Sequence, residues 1–270
     1  MVQLLQIFKL TIYGGPIMIF QIDKTIYEQL SETERYIVDF ISQNEDKISY
    51  LSITNIADKT FSSPATVSRT IQKCGFKGIA ELRYLISKED KDKSKNVSPY
   101  AINKLLDKVY QESTQTIENI PIPAILKAID HINNAEKIFI YARGFTAIFA
   151  EHFQMYLQLM GYNAVVVKDV KWMEQTKNLV TSADTVFVLS VRNTTPELAQ
   201  ALRVARHIGA RTIVCCCKSM TELEKYADVV LIGHSNVIME EKGLTVYSHL
   251  PLLIITETLI NYLSTDAEAL

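Results

Sequence analysis

The stretch VFVLSVRNTTPELAQAL, residues 186–202, decides how the larger part of this chain is read. Its apolar opening is a buried strand, its middle is a polar turn, and Pro196 and Glu197 start a helix. A turn between strand and helix often holds a phosphate against backbone N–H groups. Such turns usually carry glycine where the backbone must turn sharply or come close to the ligand. This one has Arg192 and Asn193 and no glycine. Asn tolerates the left-handed backbone better than other non-glycine residues, so Asn193 is the milder of the two departures.

Outward from this turn, the sequence after Pro123 alternates strand and helix. KIFIYA (137–142) reads as a strand, and TAIFAEHFQMYLQLMG as a helix ending at Gly161. AVVVKDV, TVFVLSV, RTIVCCC and VVLIG follow as strands, with KWMEQTKNLV, PELAQALRVARHIG and MTELEKYAD as the helices between them. Apolar strands joined by crossover helices imply a mainly parallel sheet covered on both faces, a three-layer α/β domain. SHLPLLIITETLINYL is an apolar helix that is short for a membrane span and carries Glu257, so it is expected to pack on the sheet or on a second subunit. The run Cys215-Cys216-Cys217 falls on a strand whose residues alternate faces, which suits a reduced buried strand and not a metal site.

The N-terminal third is helical. SETERYIVDFISQN carries a capping box, Ser31 with Glu34, and predicts a helix over about 31–43. SITNIADKT is a second, short helix capped by Ser52. FSSPATVSRTIQKCG is a third, with Ser63 as cap, Pro64 at its first position and Gly75 closing it. GIAELRYLISKE is a fourth helix, the charged KEDKDKSKNVSP is a linker, and an amphipathic helix covers about 98–119.

The chain has 270 residues, room for two ordinary domains, and a net charge of −2 that names no partner. Charge is unevenly spread: residues 47–95 hold ten Lys or Arg against five Asp or Glu. A basic module attached to a more acidic one is the expectation. The first segment, MVQLLQIFKLTIYGGPIMIF, is too short for a membrane span and lacks a cleavage site. Gly14-Gly15 can be encoded by a ribosome-binding sequence ahead of Met18, so residues 1–17 are expected to be a mis-annotated, non-native extension. A short apolar arm that packs on a dimer is the alternative.

Two short helices with a tight turn, the second opened by Ser-Pro, make a helix-turn-helix pattern. The second helix offers Ser63, Ala65, Thr66, Ser68 and Arg69, then Gln72 and Lys73, to a major groove. Small and hydroxyl side chains allow close approach and phosphate bonds, and Arg and Gln match guanine and adenine edges. Lys77 and Arg83 suit the phosphate backbone. Ile53, Ile56, Ala57, Val67 and Ile71 are expected to form the small core that fixes the interhelical angle.

The residues Ser63, Ala65, Thr66, Val67 and Arg69, followed by Gly75, Phe76, Gly78 and Ile79, resemble the N-terminal domain of the RpiR family of bacterial transcription regulators. The resemblance covers about 18–92, with Thr70 in place of the family's usual aromatic. It implies a domain order of helix-turn-helix (18–92), linker and connecting helix (93–121), and a sugar-phosphate-binding SIS domain (122–270). It also implies three ligand segments. The first, Gly-x-Gly-x-Ser in the family, is Ala142-Arg143-Gly144-Phe145-Thr146 here. The second, Ser-x-Ser-Gly-x-Thr, is Ser190-Val191-Arg192-Asn193-Thr194-Thr195, keeping Ser190 and Thr195. The third is about Cys216 and Thr221-Glu222-Leu223, and Ser248 falls where the family tends to place a serine. Gly144, Thr146, Ser190, Arg192, Asn193, Thr195 and Ser248 are the expected ligand residues. Arg192 either binds a phosphate bidentately or fills the pocket.

SIS domains also serve sugar-phosphate isomerases, which need a base near the reacting carbon. None of the five histidines, His131, His152, His207, His234 and His249, sits in a recognisable motif, and ARGFTA does not fit the Gly-x-Gly-x-x-Gly dinucleotide fingerprint. The expectation is a cytoplasmic regulator rather than an enzyme, with no metal or cofactor. It is expected to bind operator DNA as a homodimer or homotetramer and to sense a small phosphorylated sugar. A regulator with a degenerate effector site and an isomerase are the alternatives.

Overall fold

The computed structural model describes residues 22–89, 99–219 and 222–265. The expected non-native segment 1–17, most of the charged linker and Thr221 lie outside the described residues. The chain divides into two compact units between Asp107 and Lys108. That division falls inside the connecting helix.

The first unit is all-α. Helices α1 (Lys24–Gln29), α2 (Glu32–Gln43), α3 (Glu45–Ile48), α4 (Ile53–Lys59), α5 (Pro64–Lys73) and α6 (Ile79–Glu89) are followed by α7 (Pro99–Asn119), which crosses the division. Local capping sets where they begin. Ser31 and Glu34 close the capping box of α2, Ser52 and Asn55 close one at α4, and Ser63 Oγ accepts the Thr66 N–H at 3.1 Å. Ile37, Ile41, Ile56, Ala57, Val67, Ile71 and Leu82 are buried together in one core, with Ile53 partly buried at its edge. The short helices α1 and α3 carry too little periodicity to be read from sequence.

The second unit is a five-stranded parallel sheet. After α8 (Ile122–Asn133) come β1 (Ile138–Tyr141), α9 (Thr146–Leu159) and β2 (Ala164–Val167). Then follow α10 (Val170–Glu174), α11 (Thr176–Leu179), β3 (Thr185–Ser190), α12 (Pro196–Ile208), β4 (Arg211–Cys216) and β5 (Val229–Ile232). The strand order is β2-β1-β3-β4-β5, with every pairing parallel. Alternate strand residues feed two cores. Ile138, Ile140, Phe187, Leu189, Ile213, Cys215 and Leu231 pack under α8, α9 and the last helix, α13 (Leu250–Ser264). Phe139, Tyr141, Val186, Val188, Val214 and Cys216 pack under α10 and α12. Cys215 and Cys216 therefore face opposite layers, and burial pushes the Cys216 thiol up to about 11.

Several expected boundaries shift for local reasons. The β2 strand stops before Asp169, whose carboxylate accepts the N–H groups of Lys171 and Trp172 at 2.8 and 3.2 Å and so starts α10 early. The helix expected over KWMEQTKNLV is two short helices meeting at Gln175. In place of a helix over MTELEKYAD there is a 3₁₀ turn, Leu223–Tyr226. A hairpin absent from the sequence reading, β6 (Val237–Glu241) and β7 (Leu244–Tyr247), follows β5. Its two-residue turn, Lys242-Gly243, has φ of +50° and +80°, and lysine in place of the usual Asn or Asp hides the signal. The apolar C-terminal helix α13 buries Leu252, Ile255 and Leu259 in its own unit.

Candidate functional site

In an open parallel sheet, ligands settle outside the carboxyl ends of the strands where the strand order reverses. Here that point lies between β1 and β3: the chain leaves β1 for β2 on one side and returns through β3 on the other. A cleft of about 200 Å³ opens there, lined by Arg143, Phe145 and Thr146 after β1, by Ser190–Thr195 except Asn193 after β3, and by Leu244–Tyr247 and His249. The helices α9 and α12 both begin at this cleft, with Phe145 and Thr195 at their cap positions and no side-chain capping bond at either. The positive ends of their helix dipoles bias the cleft, although α12 opens on Pro196, which has no N–H, and Ala147 and Ile148 of α9 already donate to the Gly144 and Phe145 carbonyls.

The loop after β3 turns without glycine because Asn193 takes φ +54°. Its N–H donates to Ser190 Oγ at 3.1 Å, and its side-chain Nδ2 donates to the Lys218 carbonyl at 3.1 Å, tying the loop to the end of β4. Ser190 Oγ thereby accepts a bond within its own loop and keeps its O–H to donate. Arg192 is exposed, and its guanidinium stands 5.4 Å from the centre of the Tyr247 ring, a cation–π contact with the hairpin. Arg143 pairs with Glu197 at 3.8 Å on the other side. Gly144 supplies a left-handed turn, φ +56°, before α9. Thr146 is buried, and its Oγ1 lies 3.2 Å from His249 Nε2. The His249 ring stacks on Phe149 at 4.8 Å. Burial lowers its pKa against an opposing hydrogen bond to the Tyr247 backbone, so the ring favours the neutral form.

Of the expected ligand residues, Thr146, Ser190, Arg192 and Thr195 meet on the cleft wall. Gly144 and Asn193 shape the loops without lining it, and Ser248 Oγ accepts the Leu250 N–H at the start of α13. Glu222 borders a separate groove with Arg203 and Tyr226, and Leu223 is buried in the core. Sequence reasoning missed the contributions of Arg143, Tyr247 and His249. The last two arrive with the hairpin, and no local motif marks them.

In the first unit, α4 and α5 form the helix-turn-helix. Ser63, Ala65, Arg69, Gln72, Lys73 and Lys77 are exposed, while Thr66 and Ser68 are half-buried. Arg69 Nε donates to the Ala65 carbonyl at 3.3 Å, which holds its side chain along the helix. Lys73 Nζ bonds Glu34 Oε1 at 2.6 Å, so its charge is matched by the α2 cap. That hydrogen bond is the main reason the Glu34 carboxyl sits below its ordinary pKa. Arg83 is half-buried.

Comparison with known proteins agrees with this architecture. The rpiR-family helix-turn-helix domain matches residues 19–93, and the SIS domain matches residues 131–260. An HTH-type transcriptional regulator of Clostridium perfringens is 25% identical over 241 residues, covering 85% of this chain and 86% of its own length. Among solved structures, the Vibrio vulnificus NanR protein complexed with ManNAc-6P superposes with a TM-score of 0.55 at 20% identity, covering 87% of each chain. The sugar isomerase domain of an RpiR transcription factor from Sphaerobacter thermophilus also gives 0.55 at 19% identity, covering 60% of this chain and 88% of that one. With a helix-turn-helix at one end and a parallel sheet with a switch-point cleft at the other, the chain is a member of the RpiR family of transcriptional regulators, an rpiR-type helix-turn-helix domain joined to a SIS domain.

Proposed function

We propose that this regulator binds operator DNA through α5 and senses a phosphorylated sugar in the β1–β3 cleft. The observation that carries the reading is convergence. Two uncapped helix N-termini, the hydroxyls of Thr146, Ser190 and Thr195, and two guanidinium groups all border one cleft at the switch point. A dianion with several hydroxyls matches that set better than an apolar ligand. The ManNAc-6P in the NanR neighbour supports the same ligand class. Operator symmetry favours a homodimer or higher assembly, and a cytoplasmic setting follows from the role.

Thermal shift against a panel of sugar phosphates tests the effector, because a ligand that binds only the native state raises the melting temperature by mass action. No shift with any member leaves a regulator with a degenerate site. DNA binding is expected to weaken steeply with salt. A duplex covering the protein's own promoter that it fails to bind, or binds without salt dependence, would count against the regulator reading.

One observation favours a second reading. His249 is a neutral imidazole on the cleft wall, and it would take a proton from a bound sugar once Thr146 Oγ1 gives up the Nε2 atom it lies 3.2 Å from. Turnover of the same panel, abolished by His249→Ala, would identify an isomerase.

A further inference from the structure

The turn between α4 and α5 holds Phe61 at φ +50°, a region that glycine enters freely and a bulky residue enters at a cost. The turn closes α4 as a Schellman motif. The Ser62 N–H bonds the Ala57 carbonyl at 3.0 Å, and the Phe61 N–H reaches the Asp58 carbonyl at 3.5 Å. Phe61 therefore occupies the position where helices usually place glycine. Packing does not compensate for the strain, because the side chain is 89% exposed. A strained backbone and an uncovered aromatic ring thus coincide two residues before Ser63, the cap of α5.

This inference rests on the DNA-binding reading of the helix-turn-helix. We propose that Phe61 is a DNA-contact residue, whose ring packs on the deoxyribose and thymine-methyl edge at the groove rim as α5 enters. The surroundings favour DNA over a protein partner. The α5 helix contains no acidic residue, and exposed Lys59, Ser63, Arg69 and Gln72 surround or follow the turn, against one exposed carboxylate beside it, Asp58. Phe61 is the only exposed large hydrophobic residue between Tyr50 and Ile102 among the described residues. A protein partner would need a wider apolar patch, whereas a single apolar contact to a thymine methyl is an ordinary element of base readout.

Two substitutions separate ring from strain. Phe61→Gly removes both, and Phe61→Ala removes the ring while keeping the left-handed strain. The full chain would be titrated by fluorescence anisotropy onto a duplex recovered by in vitro selection with the wild-type protein. The glycine variant is expected to melt a few degrees higher than wild type. Both variants are expected to bind about five-fold or more weakly, with an unchanged dependence of affinity on salt, because no phosphate contact is lost. A glycine variant that melts higher and binds as tightly as wild type overturns the inference. So does a loss of affinity that tracks a change in sedimentation coefficient, since the ring would then seal a contact between copies. Selection that recovers no duplex overturns the DNA-binding reading and this inference with it.

Discussion

The residue that most changes meaning on folding is Arg192. In the sequence it stands where a phosphate-wrapping turn would have a small residue. In the structure its guanidinium is stacked on Tyr247, at the rim of the cleft, while Asn193 takes the left-handed backbone that glycine would otherwise provide. The Arg192→Ser, Asn193→Gly variant tests which role the arginine has. If Arg192 contacts the phosphate, the variant loses about ten-fold or more in phosphosugar affinity, the size of one charge-assisted bond. Tighter binding in isothermal titration would identify the natural loop as impaired. Asn193 was legible because its conformational tolerance is intrinsic. The Tyr247 contact was not, because it joins residues 55 positions apart.

At the scale of elements, the hairpin β6–β7 and helix α13 complete a cleft that strand–turn–helix units only begin. Their placement depends on a close approach at Gly233, just after β5. A Cβ at Gly233 would lie 2.4 Å from Pro251 Cβ, in the rigid first turn of α13. Gly233→Ala is expected to cost about 1–3 kcal/mol in urea denaturation, since proline cannot rotate away and α13 or the strand end must shift. An unchanged midpoint would mean that the helix relaxes freely. Helices α2, α4 and α5 were legible to within a residue because caps and periodicity act locally. The hairpin was not, because its turn lacks the Asn-Gly or Asp-Gly signature.

At the scale of the whole molecule, helix α7 belongs to both units, and its second half is fastened to the chain that leads into the hairpin. Glu112 Oε1 accepts the Asn236 N–H at 3.1 Å, and Thr116 Oγ1 accepts the His234 N–H at 3.0 Å. Glu112 and Thr116 are buried. The hairpin begins at Val237, and its second strand lines the cleft. If the cleft binds an effector as proposed, this contact chain is the route by which its signal would reach α7, provided that the ligand prefers one arrangement. Glu112→Ala is expected to leave phosphosugar affinity within about two-fold while reducing several-fold the effect of the ligand on DNA affinity. Full coupling in the variant would exclude this contact as the route.

The sequence by itself determined the helix-turn-helix, the parallel α/β layering and the two loops after β1 and β3. Each of these rests on caps, turn residues and apolar spacing within a few positions. Only the tertiary structure decided what faces those loops. It set Tyr247 and His249 on the cleft wall and matched Lys73 with Glu34. Those contacts join residues 39 to 103 positions apart. They depend on strand order and helix packing, which local spacing does not encode.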